Sequence, residues 1–210
     1  DYSLVPLPWR EVELPSKPKV GVLTFPTFLP PTPAQKRALD TTVDALKKQG
    51  CEIVEFEPPS APEEYDRLIH RLYYADGFHH FASPLENGEH NDPYVGHIMK
   101  YTSLPKFVRK IWQGLLRLFG YKEKADILAN EHTTPTSGFI DDTGKREEFR
   151  KGFSKKWDAS GIDFLVCPPH ASPALPNYVP ESFRAILYTS LFNLLDYPAG
   201  VLPIGRVDSK

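Results

Sequence analysis

Phe192-Asn193-Leu194-Leu195-Asp196-Tyr197-Pro198-Ala199-Gly200-Val201-Leu202-Pro203-Ile204 decides how this chain folds. Just upstream, Ile186, Leu187, Ser190, Leu191, Leu194 and Leu195 recur at helical spacing. Pro198 disfavours the α region at Tyr197, so the helix is expected to end near Asp196. Ala199 to Ile204 is almost wholly apolar and predicts a strand buried on both faces. Helix, proline break and buried strand describe an element set into the core of an α/β domain. Taken alone, these residues need no role beyond core packing.

The first part of the chain supplies a matching layer. Asp1 to Pro18 is proline-rich and aperiodic, an extended lead-in over the surface. Val20 to Phe25 reads as a short apolar strand. Thr32-Pro33-Ala34-Gln35 predicts a helix start, with threonine as N-cap, proline in the first turn and glutamine placed for a capping box. Ala38, Leu39, Thr42, Val43 and Leu46 form its inner face, and Gly50 ends it. Glu52 to Glu57 alternates through Ile53, Val54 and Phe56 as a second strand. Strand, helix and strand in this order predict a crossover and a parallel pair.

Further along, Ser60-Ala61-Pro62-Glu63 predicts another capping box, followed by a helical stripe of Tyr65, Leu68, Ile69, Leu72 and Tyr73. Phe78 to Tyr94 reads as a loop and a turn. Lys145 to Ser160 predicts a helix buried through Phe149, Phe153 and Trp157 and stopped by Gly161. Asp163 to Cys167 is the next strand, and Pro168 to Pro180, with five prolines, a rigid connector.

Length and composition narrow the classes. At 210 residues the chain can bury one sizeable core, and one domain is expected. A net charge of −2 gives no electrostatic reason to bind nucleic acid. The two cysteines, Cys51 and Cys167, sit in apolar surroundings, which argues against a disulfide scaffold and suits a reducing, cytoplasmic setting. No apolar run reaches the ~18 residues of a transmembrane helix. The chain opens on Asp1, its one methionine is Met99, and an apolar segment lies near its end. Together these predict an excised piece, the later half of a larger catalytic domain.

The opening stretch, with Asp163-Phe164-Leu165-Val166-Cys167-Pro168-Pro169, Ala75-Asp76-Gly77 and Pro6-Leu7-Pro8-Trp9-Arg10-Glu11, resembles the amidase signature hydrolases. The likeness is greatest to the fatty acid amide hydrolase and fungal amidase branch. It implies an α/β, partial amidase-signature fold: a mixed sheet flanked by helices, with an amphipathic helical cap insert at about 104–131. Residues 1–210 would form the C-terminal part of a single amidase domain. The resemblance implies a small-molecule amide substrate, peripheral membrane contact and a homodimer as partners, and no metal or organic cofactor.

Leu104 to Phe119 carries Leu104, Phe107, Val108, Ile111, Trp112, Leu115, Leu116 and Phe119 at helical spacing. Lys106, Arg109, Lys110, Gln113 and Arg117 fill the other side, and no acid occurs. Such a helix suits a bilayer interface, with Lys and Arg stems turned outward. It equally suits a surface helix packed on the domain or a partner-protein face. The resemblance favours the membrane, with Phe107, Arg109, Lys110, Trp112, Leu115, Leu116 and Phe119 as contacts and Glu123 to Glu131 as the second cap helix.

Family members hydrolyse amides with a Lys–Ser–Ser set on a Gly- and Ser-rich segment. A neutral lysine takes a proton through the bridging serine, the nucleophile attacks the carbonyl, and backbone N–H groups hold the oxyanion. This chain has no Ser-Ser or Gly-Gly pair. No catalytic residue is therefore assigned, and the working parts are expected upstream. The resemblance carries over an acyl-channel wall of Ile127, Phe183, Ile186 and Ser190; core packing explains each equally well. Arg184 and Ser190 imply a more polar channel than a strict lipid amidase needs. A non-catalytic acyl-ligand or membrane-binding module is the alternative function.

Other constellations are weaker. Cys167-Pro168-Pro169-His170 reads as a buried thiol with its imidazole turned away. His79, His80, His90 and His97 lack metal-ligand spacing. Asp141-Asp142 and Glu147-Glu148 read as solvated charge, and no Gly-x-Ser-x-Gly elbow occurs.

Overall fold

In a computed structural model of the protein, residues 8, 10–24, 30–77, 79–82, 93–174 and 187–207 are described. Among them β1 (Lys19–Val22) is the middle strand of a sheet of order β2-β1-β3. β2 (Glu52–Glu55) and β3 (Phe164–Val166) both run parallel to it. Val20 lies opposite Ile53 on one side and Phe164 on the other. The crossover from β1 to β2 is α1 (Pro33–Lys48), as the apolar spacing predicts. Gly50, at φ +88°, turns the chain out of α1 in the left-handed region that glycine tolerates. The described part of the lead-in, 10–17, is exposed.

Gly21 allows the layers to close on the middle strand. A Cβ there would come 2.8 Å from Ile162 Cδ1 and 3.2 Å from both Leu165 Cδ1 and Phe56 Cβ. α2 (Pro62–Tyr73), α7 (Thr136–Ser160) and α8 (Leu187–Leu195) pack into the adjoining core. Phe153 of α7 is its hub. Its ring lies 5.3 Å from Phe56, 6.3 Å from Phe149 and Trp157, and 5.7 Å from Tyr197. Between α2 and α7 run α3 (His79–Ala82), α4 (Pro93–Ser103), α5 (Lys106–Leu118) and α6 (Lys122–Asn130).

Several expectations need correction. Thr32 is the N-cap of α1, yet its side chain makes no cap bond. Gln35 Nε2 donates instead to Ser172 O at 3.1 Å, because the proline-rich connector lies across this helix end. The N-cap of α2 is Ala61, not Ser60. Pro62 takes the first helical position, which fixes the cap one residue before it. α7 begins at Thr136, well before Lys145, since Gly138 and Gly144 hide the helical pattern without breaking it. Asp142 is buried, not solvated: Arg71 Nε donates to it at 2.7 Å and Lys145 Nζ at 3.2 Å. The 78–94 region holds α3 and the start of α4 where a loop is expected. Most of it lies outside the described residues.

The largest correction concerns 199–204. This segment forms no strand. Val201 is 71% exposed and Leu202 81%. Apolar sequence predicts burial only where a neighbour covers it, and no described strand lies alongside to complete a ladder.

Gly21→Ala is expected to lower stability by about 1–3 kcal/mol through overpacking between the layers. Urea unfolding checks this; an unchanged midpoint would mean the interlayer space has slack.

Candidate functional site

A cavity of about 890 Å³ opens between α1, β3, α8 and the segment 197–207. Its walls include Ala38, Leu165, Phe192, Pro198 and Leu202. The hydroxyls of Thr41 and Thr42 also line it, and both donate to carbonyls of their own helix, Arg37 O at 2.8 Å and Ala38 O at 2.9 Å. Burial pushes the Cys167 thiol up to about 12, so it stays neutral near pH 7. His170 turns to its own loop, where Nδ1 accepts from the Ser172 N–H at 3.1 Å. Cys167 and His170 are thus no nucleophile and base.

The outer wall is anchored at one point. Arg146 Nε donates to Leu194 O at 2.8 Å and Arg150 Nε to Leu195 O at 3.0 Å. The same guanidinium groups approach Asp196 Oδ2, at 2.6 Å and 3.7 Å. Two cations at the last turn of α8 suit its dipole and its open carbonyls. Asp196 has φ 56°, the left-handed region, which turns the chain towards Tyr197. The Tyr197 ring then packs edge-on against Phe153 and Trp157, 5.7 Å from each. Sequence reasoning missed this clamp. Its signal was Arg146 and Arg150 one turn apart on α7.

A smaller, polar cleft of about 440 Å³ lies between α2 and α6, lined by Asp66, His70, Asp126 and Ile127 among others. His70 is 2% exposed, and its Nδ1–H donates to Asp66 O at 2.7 Å. Ile127 is therefore part of a polar cleft. Ser190 is 3% exposed, its Oγ has no hydrogen-bond partner among the described residues, and it lines neither cavity. Among the described residues the two line no common cavity. Phe183, Arg184 and Ile186 lie outside the described residues.

The cap pair is α5 and α6, packed on one another. No residue of α5 is buried. Phe107 is 67% exposed, Ile111 61% and Trp112 51%, with Leu115 and Phe119 also exposed, Leu116 half-buried and Lys110 at the surface. A polar knot holds the pair to α4: Gln113 Nε2 donates to Tyr101 OH at 2.8 Å, and Tyr101 OH donates to Leu128 O at 3.1 Å. Arg117 Nη2 pairs with Asp126 at 2.8 Å. Arg109 differs from the expected outward stem. Its Nε and Nη1 are buried and have no hydrogen-bond partner among the described residues. Glu131, the C-cap of α6, is 2% exposed, and burial raises its carboxyl to about 7.

Among the described residues no group of three or more His, Cys, Asp or Glu could hold a metal, and no helix is long and apolar enough to cross a membrane.

A parallel crossover sheet backed by helices defines an α/β protein, and the apolar cavity lies along its β3 edge. A family model described as Amidase matches residues 3–210, and the chain belongs to the amidase family. It is similar to fatty-acid amide hydrolase 1 of Sus scrofa, 29% identical over 213 residues, covering 100% of this chain and 36% of that protein. It is also similar to an amidase of Gibberella zeae, 30% identical over 217 residues, covering 98% of this chain and 34% of that protein. A solved fatty acid amide hydrolase structure superposes with TM-score 0.62 at 22% identity, over 93% of this chain and 30% of that one. The partial amidase fold is thus present, and the chain spans about a third of the length of these relatives.

Glu131 gives a pH dependence. Between its ordinary 4.5 and about 7 the folded chain keeps a proton that the unfolded chain releases, so stability falls as pH rises through that window. The loss is complete above the window and is on the order of 3 kcal/mol. Glu131→Gln is expected to raise the Tm at pH 8 and to change it little at pH 5. Equal shifts at both pH values would show that Glu131 does not titrate there.

For the clamp, Arg146→Met is expected to cost about 1–2 kcal/mol, because Leu194 O and Asp196 both lose a charged donor. Asp196→Asn is expected to cost less than about 1 kcal/mol, since the carboxylate is more than half exposed. Chemical denaturation of both variants checks the order.

Proposed function

We propose that this chain is the later part of an amidase that hydrolyses carboxamides of fatty or other apolar acyl groups. The nucleophile, bridging serine and lysine would lie on polypeptide outside these residues. The observation that carries the reading is the apolar cavity walled by 197–207, within the matched family region. Its volume of about 890 Å³ falls in the range of small-molecule sites, about 300–1,000 Å³. Burying an acyl chain there would gain about 0.8 kcal/mol per methylene. The chain's own residues would bind and orient the acyl part, and Pro198 to Leu202 would keep water from it.

The reaction itself needs groups these residues do not supply. A lysine kept neutral by its surroundings would take the serine proton through the second serine, and the same proton would pass to the departing amine. Peripheral membrane contact through Phe107, Lys110, Trp112, Leu115, Leu116 and Phe119 would deliver apolar amides from a bilayer. The exposed apolar face of α5 supports that part, and the assembly would act as a homodimer. A non-catalytic acyl-ligand or membrane-binding module is the second reading. It is favoured by the Thr41 and Thr42 hydroxyls, tied to helix carbonyls, and by the neutral Cys167 thiol.

A fluorophosphonate probe separates the two readings. The product of the longer reading frame is expected to be labelled, and residues 1–210 alone are not. Labelling of the 210-residue chain, or none of the longer product, would overturn the enzymatic reading. Membrane contact is tested with neutral phosphatidylcholine vesicles. Phe107→Glu with Trp112→Glu is expected to abolish co-sedimentation, and unchanged pelleting would remove that claim.

A further inference from the structure

The apolar cavity along β3 carries positive charge that a plain fatty chain has no use for. Arg37 lines it from α1 and Arg206 from the terminal segment. Both are exposed, and neither enters an ion pair among the described residues. Other polar groups of the lining are already engaged. Gln35 donates to Ser172 O, and the Thr41 and Thr42 hydroxyls donate to carbonyls of α1. Among the described residues the one acid in the lining is Asp163. Its Oδ2 accepts the Lys19 N–H at 2.7 Å and its own N–H donates to Lys19 O at 2.8 Å, which fixes it at the start of β3. Arg37 belongs to the other end. The first turn of α1 meets the connector beyond β3, where the Thr32 N–H donates to Ala171 O at 2.7 Å. Asp40 and Asp44, the acids of α1, are exposed and outside the lining.

We propose that the acyl group taken here ends in a carboxylate, so that the substrate class is the monoamide of an apolar dicarboxylic acid. This rests on the acyl-cavity reading and narrows it. On that reading the groups that attack the amide lie on other polypeptide, so charge on this wall meets the far end of the acyl chain. An ionised carboxylate does not enter an apolar site unpaired. A guanidinium offers it two N–H groups side by side. The methylenes then lie along Ala38, Leu165 and Leu202, and the charged end stays at the rim, where both arginines are exposed. A few polar groups set in an apolar lining are what orient a ligand.

The test is titration calorimetry on the whole chain with octanamide, suberic acid monoamide and N-octanoylglycine, which share an eight-carbon acyl chain. The monoamide is expected to bind at least as tightly as octanamide despite its charge. Arg37→Gln with Arg206→Gln is expected to weaken it about tenfold, the sum of two exposed charge contacts. Arg37→Lys with Arg206→Lys is expected to restore most of that loss. Octanamide and N-octanoylglycine are expected to change less than about twofold in either variant, since neither carries a charge at the far end of its acyl chain. Higher salt is expected to weaken the monoamide and leave octanamide unchanged. Both arginines are exposed, so the variants are expected to keep the wild-type Tm. Octanamide binding together with a monoamide indifferent to the Gln variant would overturn this inference alone. Loss of N-octanoylglycine binding in its place would put the cations at the amide end and overturn it as well. Absence of binding by octanamide and monoamide alike would overturn the acyl-cavity reading, and this inference with it.

Discussion

The Phe153 ring is the contact on which the rest of the molecule depends. It touches the end of β2 through Phe56, its own helix through Phe149 and Trp157, and the terminal segment through Tyr197. Sheet, helical layer and cavity wall therefore share one buried side chain, which is fully enclosed. Edge-on ring pairs add direction to a force that otherwise has none. Trp157, one turn further along α7, meets Phe56 and Tyr197 as well, so both links would leave with that helix.

Around that hub the polar groups work as joints. Asp142 ties α7 to α2 through Arg71, two arginines of α7 grip the end of α8, and the Tyr101–Gln113–Leu128 knot fastens α5 and α6 to α4. Each joint satisfies a group that would otherwise be buried alone or left open at a helix end. The apolar core sets which layers meet, and these bonds set the angle at which each helix leaves the next.

Local chemistry was legible where one residue type decides the backbone. Gly50 and Gly161 end their helices with positive φ, Pro33 and Pro62 open theirs, and the Val20 and Ile53 runs pair in parallel as the crossover requires. Phe149, Phe153 and Trp157 face the core as their spacing predicts. Relationships between distant residues were not legible. Nothing adjacent to Asp142 announces Arg71, 71 positions away, and the inward turn of Arg109 depends on how α5 lies on its neighbours. The 199–204 run misled for a related reason: apolar sequence records a need for cover, not its source. Ile127 and Ser190 sit on helices whose facing sides only packing decides, so their surroundings could not be read from spacing.

Asp196 is held by two demands that no single replacement satisfies. Its left-handed backbone favours glycine or asparagine, whereas Arg146 and Arg150 ask for a full negative charge. Glycine would relax the main chain and abandon the arginines; glutamate would keep the charge, displace it by a methylene and deepen the torsional strain. Asparagine is thus the one neighbour this position admits at small loss, and drift towards larger side chains is closed unless α7 changes with it.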